Sequence, residues 1–240
     1  MTLLTICQEV ARDIPIEVPN QVFGNDSDET AKLLYSSANR AGKWLSTRTN
    51  WVDMVKEYTF STVASQEDYD LPSDFKFIVN DTLWDRSNYE SIRGPLNPQE
   101  WQRYQSSVLA DTITTWKRYR IRDVSGTKKF SIHPVPDAVE NLVFEYLSTS
   151  WCESAASVGQ NAWLADSDTG VIDEELIYLE TRWRVLNRLG LSYAEEKQEA
   201  RTQIDIAVSR EGGAKKLNLS SSRNIRLLGP ENVPDTGFGA

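Results

Sequence analysis

Histidine and cysteine are scarce in this chain of 240 residues, which contains one histidine and two cysteines. Cys7 and Cys152 are far apart and match neither a metal-binding spacing nor a disulfide framework, so we predict two reduced thiols. His133 lies in a segment with two prolines, and no G-x-S-x-G elbow supplies a nucleophile beside it. We therefore predict a protein without enzymatic activity, catalytic residues, cofactor or bound metal.

Long apolar runs are also missing, since none approaches the roughly 18 residues that a membrane span needs. The N-terminus has no basic segment followed by an apolar signal core. Positive charge is in short supply as well, because the formal net charge is −9 and affinity for nucleic acid depends on clustered Lys and Arg. The composition predicts a soluble protein that is made in the cytoplasm and has no membrane partner. It disfavours a DNA-binding role.

Helical periodicity is clearest between residues 172 and 211. Apolar residues recur there at spacings of four and three, which places them on one buried helical face. Gly190 would end a first helix, and Ser192 with Glu195 would form a capping box that begins a second. This hairpin is a predicted packing platform, and its bundle-packing residues are Leu176, Leu179, Trp183 and Leu186.

Two more helices are predicted at the N-terminus. The first covers residues 2–14 and ends before Pro15, because the residue before a proline is pushed out of the helical region. The second would be capped by Asp26, with Glu29 in the capping-box position. Its apolar face continues to about Arg48.

Between these helical regions the pattern alternates as in strands. Strands are predicted near residues 57–62, 75–80 and 142–147, and a hairpin pairs residues 116–122 with 128–132. Asn97, Pro98 and Glu100 favour the start of a short helix. The predicted fold is α+β, a helical bundle of two N-terminal and two C-terminal helices with a β-rich insertion and an extended C-terminal arm. Its segments are residues 1–50, 51–150, 151–212 and 213–240.

Several clusters could carry chemistry. The carboxylates between residues 166 and 175 match only part of a calcium loop, and those at 173–175 are better explained by the positive end of a helix dipole. Eight tryptophans could indicate sugar binding, but they are spread along the chain and favour core or interface packing. The basic residues of the hairpin form a patch that faces an acidic neighbour, nucleic acid or solvent: Lys117, Arg118, Arg120, Arg122, Lys128 and Lys129.

The last residues differ from the rest of the chain. Gly, Ser, Asn and Pro are frequent after Gly213, four apolar residues share one parity as in a strand, and four basic residues outnumber two acidic ones. Such a segment is typical of a docking arm that orders on a partner. The residues predicted to make the contacts are Leu217, Leu219, Arg223, Ile225, Arg226, Leu227 and Leu228.

Several stretches together resemble the head-to-tail adaptor (connector) proteins of tailed bacteriophages, the family that includes the tail tubular proteins of short-tailed phages. The first are NRAGKWL (residues 39–45), YDLPSDF (69–75) and NDTLWD (80–85). Further along are PVPD (134–137) before FEY (144–146), WR (183–184), GLSYAEE (190–196) and GG (212–213). Their order and spacing extend the resemblance over nearly the whole chain.

The resemblance implies a structural virion protein that assembles as a ring between portal and tail, usually of twelve copies. It implies that the C-terminal arm binds the portal protein, that nozzle or tube proteins of the tail bind below, and that DNA passes through the channel without specific binding. The protein would be synthesised in the bacterial host cytoplasm and act at the head–tail interface of the virion. Two alternatives stay open, a carbohydrate-binding tail component and a nucleic-acid-binding regulator.

Overall fold

The structure is a computed structural model, and it describes residues 1–106 and 117–211. The chain divides into two compact units. The helical unit contains the described residues 1–55 and 148–211, and the β unit contains the described residues 56–106 and 117–147. The fold is therefore mixed α+β. The predicted C-terminal arm, residues 213–240, lies outside the described residues.

The helices of the described residues are α1 (Leu3–Asp13), α2 (Glu29–Arg48), α3 (Pro98–Gln105), α4 (Glu174–Leu189) and α5 (Ala194–Arg210), with a 3₁₀ turn at Val52–Met54. The strands are β1 (Val55–Ser61), β2 (Asp68–Asp70), β3 (Phe75–Ile78), β4 (Trp84–Asp85), β5 (Glu90–Ser91), β6 (Arg118–Val124), β7 (Thr127–His133), β8 (Asn141–Ser148), β9 (Cys152–Glu153), β10 (Gly159–Gln160) and β11 (Thr169–Gly170).

Helix ends follow local capping chemistry, with two differences from the sequence predictions. Asp28 caps α2 by accepting a hydrogen bond from the Thr30 amide at 2.8 Å, so the prediction of Asp26 as the cap was wrong. Helix α5 begins after Tyr193 without a side-chain cap, so the predicted Ser192 capping box does not form. Gly190 does end α4, and its φ of 73° is the left-handed conformation that glycine adopts at little cost.

The helical unit is built around α4, which contacts α1, α2 and α5. Two fully buried tryptophans, Trp151 and Trp163, pack edge to face beside α2, with ring centroids 5.0 Å apart. A small sheet in the order β10-β9-β11 belongs to the same unit. The core of this unit is therefore helical, with one tryptophan pair at its side.

The β unit contains two sheets that share an aromatic core. One has the order β1-β8-β4-β5, with β3 also paired to β8, and the other has the order β2-β7-β6. The strand predicted near residues 142–147 is confirmed as β8, which is buried on both faces and central in its sheet. The β6–β7 hairpin is confirmed as well. The core includes Phe60, Tyr69, Phe130, Phe144 and Tyr146.

Helix α3 confirms the capping box that was predicted from three residues. The Glu100 amide donates to the Asn97 side chain at 2.8 Å, and the Glu100 carboxylate accepts from the Asn97 amide at 3.2 Å. Pro98 occupies the first turn, where its missing amide proton costs no hydrogen bond. Trp101 of this helix is fully buried, which fixes α3 on the β unit.

Candidate partner interface

The four residues predicted to pack the hairpin occupy two different environments. Leu176, Leu179 and Leu186 are buried, while Trp183 is half-buried. Ile177 and Val185 are fully buried too, so α4 is covered on more sides than a single 4-3 face predicts. This wider burial follows from the position of α4, which packs against three other helices.

Trp183 is held by polar and cationic neighbours. Its indole N–H donates to the Glu180 carboxylate at 2.8 Å, and the Arg184 guanidinium lies 4.7 Å from its ring centroid. The Lys197 ammonium lies 5.1 Å from the same ring. Cations over an indole face are attracted by the ring quadrupole. The expectation of a large, fully buried tryptophan is therefore replaced by a half-exposed ring that carries two cations.

This environment predicts a moderate effect for Trp183→Ala. We expect a loss of about 1–2 kcal/mol in the free energy of unfolding, because the exposed part of the ring contributes no burial. Leu179→Ala, on the buried side of the same helix, should cost more, about 2–4 kcal/mol. Urea denaturation of both variants measures the difference. A larger loss for Trp183→Ala than for Leu179→Ala would contradict the half-exposed environment.

Helices α2, α4 and α5 together form a surface that is rich in Arg and Lys residues. Along each helix its residues recur every fourth position, except for Lys43, which lies three residues after Arg40, and this spacing places them on one side of that helix. We call it the basic face, and its residues are Arg40, Lys43, Trp44 and Arg48 of α2, Arg184 and Arg188 of α4, and Lys197 and Arg201 of α5.

Direct contacts join the three helices across the basic face. The Arg188 guanidinium hydrogen-bonds the Ser36 hydroxyl of α2. The Arg184 guanidinium lies 5.9 Å from the Trp44 ring centroid. Arg48 of α2 forms a salt bridge of 3.1 Å with Asp205 of α5. Because these contacts connect neighbouring helices, the bases belong to one continuous surface.

A cavity of about 250 Å³ opens in the basic face between α2 and α5. Its lining combines an apolar floor, Ile204, with the rim residues Trp44, Arg48, Arg201 and Asp205. Trp44 is 37% exposed, which is unusual for so large an apolar ring. Aromatic residues and arginine are enriched at protein–protein interfaces, so this lining is typical of a partner contact.

The charges of the basic face are only partly compensated. Burial lowers the pKa of Arg184 from its usual value, and the nearby Arg40 and Arg188 lower it further, while the buried Glu180 beside it acts in the opposite direction. The salt bridge between Arg184 and Glu180 has side chains 15% and 2% exposed. Glu180 thus neutralises one guanidinium within the fold, and the exposed bases around it still face outward.

The sequence predictions missed this surface. Its bases come from residues 40–48, 184–188 and 197–201, and within each stretch they are few. The available signal was the repeat of basic residues at four-residue spacing on three predicted helices. That signal becomes a patch only when the helices pack side by side, which periodicity within one helix does not specify.

Three of the six basic residues that were singled out around the hairpin are paired with carboxylates. Lys117 contacts Asp85 and Glu140, Arg122 lies within 2.9 Å of Asp68, and Lys129 contacts Asp70. Strand pairing brings these carboxylates to the hairpin, because β2 pairs with β7. The structure therefore supports neither a coherent cationic surface nor a nucleic-acid patch at these residues.

The carboxylates at residues 166–175 hold the backbone in place. Asp166 accepts hydrogen bonds from the Val22 and Phe23 amides, the shorter at 2.7 Å, and Asp168 accepts from the Leu164 and Ala165 amides at 2.7 and 2.8 Å. Asp173 accepts from the Glu175 amide at 3.0 Å and caps α4. The interpretation of Asp173 as part of a helix start is confirmed.

His133, Cys7 and Cys152 pack against other side chains inside their units. The His133 ring packs edge-on against Tyr104, with centroids 5.2 Å apart, and against Trp101 at 6.1 Å. Cys7 and Cys152 are free and fully buried. Burial raises the pKa of each thiol to about 12, so both are protonated and inert near neutral pH.

A groove of about 510 Å³ lies on the β unit, over strands β1, β8 and β4. The aromatic side chains at its rim are Trp84, 36% exposed, and Tyr89, 77% exposed. Carboxylates line it as well, although Glu57 is paired with Arg86 at 3.0 Å. Exposed rings beside carboxylates are the arrangement that a sugar-binding role requires.

The described part of the chain contains neither a metal-binding cluster nor a membrane-spanning helix. Within residues 1–106 and 117–211, no group of three or more His, Cys, Asp or Glu side chains could hold a metal ion. In the same described part of the chain, every helix is too short or too polar to cross a membrane.

No curated protein matches this chain, whereas a protein-family model does. The family model of the SU10 adaptor protein matches residues 1–221, which include the described residues of both units. This match confirms the resemblance to phage head-to-tail adaptors. Because it covers well over half of the sequence, the chain belongs to the SU10 adaptor protein family.

Proposed function

We propose that this phage adaptor forms a ring of twelve copies between the portal and the tail of the virion, as the resemblance to the adaptor family implies. The observation that carries the proposal is the family match over residues 1–221. A ring of identical copies leaves an axial channel by symmetry. The channel lets DNA pass during packaging and ejection, and the protein reaches the virion after synthesis in the host cytoplasm.

The segments of the chain have different roles in this proposal. Residues 1–50 and 151–212 form the bundle of the ring, and residues 51–150 form its β-rich insertion. Residues 213–240 form the portal-docking arm. The net charge of −9 supports passage of DNA without specific binding, because like charge repels phosphate.

The role is structural and not enzymatic in this proposal. The carboxylates that could have formed a catalytic pair, Asp166 and Asp168, accept backbone hydrogen bonds instead. The thiols are protonated and buried, which removes them as nucleophiles. Both observations support a protein that acts by assembly.

Truncation after Gly213 tests the adaptor role. We expect the truncated protein to melt within about 2 °C of the parent, because the contacts of the described residues are retained. We expect it to lose attachment to portal-bearing heads, because at about 3.3 Å per residue the missing segment could span about 85 Å of a partner surface. Co-sedimentation with purified heads measures attachment.

A second truncation provides the matched control. Ending the chain after Leu228 keeps the predicted contact residues Leu217, Ile225 and Arg226 and removes only the last residues. This variant should co-sediment with the heads as the parent does. Full attachment of the protein that ends at Gly213 would show that the arm is not the portal contact. Failure of the parent to attach would refute the adaptor role itself.

Sugar binding is the second candidate function, and the groove with Trp84 and Tyr89 is the observation that favours it. Sugars stack on exposed aromatic rings and hydrogen-bond to carboxylates. Binding of the intact protein to a glycan array, lost in Trp84→Ala but retained in Trp44→Ala, would support it. The second variant removes an equally exposed tryptophan of the helical unit and serves as the control.

A further inference from the structure

We propose that the basic face of one copy docks on an acidic surface of a second copy of the same chain. This inference rests on the proposed ring and names the two surfaces that would meet in it. The second surface, called the acidic flank, consists of Glu9 and Asp13 of α1, Glu175 of α4 and Glu199 of α5.

Contacts within the helical unit bring the acidic flank together. Arg182 of α4 lies 3.7 Å from Asp13 and 4.0 Å from Glu199, so it links α1 and α5 to α4. Tyr178, one turn earlier on α4, hydrogen-bonds Asp13. Glu9 precedes Asp13 by four residues and shares its side of α1. Asp13 and Glu199 are 43% and 55% exposed, so their charges reach solvent.

The two surfaces lie on opposite sides of the same helices. At about 100° per residue, Glu175 is turned about 180° from Arg184 around α4. By the same rule Glu199 is turned about 160° from both Lys197 and Arg201 around α5. Helices α4 and α5 therefore each carry basic residues on one side and acidic residues on the other.

This arrangement favours a head-to-tail contact. A patch that is complementary to another patch elsewhere on the same molecule gives a heterologous interface, which closes into a ring when the rotation between copies allows it. Two copies that met through their basic faces about a two-fold axis would instead bring like charges together. Complementary potentials also suppress the wrong pairing, because like charges across an interface are costly.

Helix α5 has the surface that such a contact needs. Of its residues only Ala200 and Ile204 are buried, so most of the helix is open to a neighbour. The cavity beside Trp44 lies between α5 and α2 and offers an apolar centre inside a charged rim. Interfaces typically have this anatomy, with charge at the rim and apolar or aromatic groups at the centre.

The test is a charge swap in the full-length protein. The first variant, Arg40→Glu with Arg201→Glu, reverses the basic face at two exposed residues. The second, Glu175→Lys with Glu199→Lys, reverses the acidic flank. We expect each to lower the association constant between copies about 30-fold or more, because like charges then oppose each other. A chain that carries all four substitutions should recover part of the association, since the reversed residues of the two surfaces again have opposite signs.

Self-association is measured by native mass spectrometry over a range of concentrations, and by cross-linking on portal-bearing heads. The matched control, Arg103→Glu with Lys128→Glu, makes the same change in net charge at exposed residues of the β unit and should associate as the parent does. Thermal melting checks that every variant is folded.

Several results would overturn the inference. One is an association constant equal to that of the parent in either doubly substituted variant. Another is an association constant in the four-residue variant that is no higher than in the doubly substituted variants. Loss of duplex-DNA retention in the first swap, with self-association unchanged, would assign the basic face to nucleic acid instead. In each case attachment of the parent to heads is scored separately, so the surfaces could be wrong while the adaptor role holds. If the parent neither attaches nor associates, both proposals fail.

Discussion

Lys117→Met is expected to lower the free energy of unfolding by about 3–5 kcal/mol, the largest effect of any single substitution considered for this protein. The Lys117 ammonium lies 2.9 Å from Asp85 and also contacts Glu140, and these two carboxylate side chains are 0% and 8% exposed. Methionine keeps the length of the side chain and removes its charge. The two buried carboxylates would then lose their only cation in the described contacts.

The effect has a predictable pH dependence. Burial alone would raise the pKa of Asp85, but hydrogen bonds from Lys117 and Asn88 outweigh it and hold that pKa below its usual value. A carboxyl with a depressed pKa stabilises the fold above its unfolded pKa of about 4, and this stabilisation is lost as the pH falls through the folded value. The deficit of Lys117→Met should therefore be largest near neutral pH and shrink towards pH 3.

Urea denaturation at pH 7 and at pH 3 measures both the loss and its pH dependence. Lys128→Met is the matched control, since Lys128 is exposed on the same hairpin and should change stability by less than about 0.5 kcal/mol. A deficit for Lys117→Met that is the same at both pH values would show that lost packing, and not lost charge pairing, is the cause.

Local patterns in the sequence were sufficient to predict most elements of this fold. The periodicity of residues 2–14 predicts a helix, and α1 covers Leu3–Asp13. The alternation on either side of Ser125-Gly126 predicts a hairpin, which β6 and β7 form. These signals are short-range, because a helical face or a strand face repeats within a few residues.

Features that depend on packing between distant segments were not predictable in the same way. Asp26 and Asp28 offer the same capping chemistry, and only the path of the chain selects Asp28. The basic face requires α2 to lie beside α4 and α5. Trp183 has the spacing of a core residue, but Tyr193 and Lys197, which pack against it, leave part of its ring exposed.

Charge illustrates the same difference between composition and arrangement. The net charge of −9 disfavours a cationic surface, and in the β6–β7 hairpin Arg122 and Lys129 are indeed paired with carboxylates. The bases of α2, α4 and α5 nevertheless gather on one side of an acidic protein. One chain can carry both a strongly positive and a strongly negative surface while its net charge stays negative. A head-to-tail assembly places these opposite surfaces of neighbouring copies against each other.

Gly42→Ala is expected to destabilise the helical unit by about 3 kcal/mol, although alanine normally favours a helix over glycine by about 1 kcal/mol. Gly42 lies within α2, and a Cβ atom placed there would come within 2.1 Å of the Trp151 ring. The ring has little room to move. Trp151 is 1% exposed, its indole N–H donates to the Asn161 carbonyl at 2.9 Å, and Trp163 packs against it.

A double-mutant cycle isolates this contact. Trp151→Leu alone should cost about 3 kcal/mol, because it leaves a cavity in the core. In that background Gly42→Ala should be neutral or stabilising by up to about 1 kcal/mol, since the clash is gone and only helix propensity acts. Urea denaturation of the four proteins gives the coupling, and Lys43→Ala, at the adjacent exposed position, controls for a general effect on α2. If Gly42→Ala stabilised the parent as much as it stabilises the leucine variant, the close approach of α2 to the Trp151 ring would be wrong. The sign of one substitution in two backgrounds thus decides whether glycine at this position is required by the tryptophan beside it.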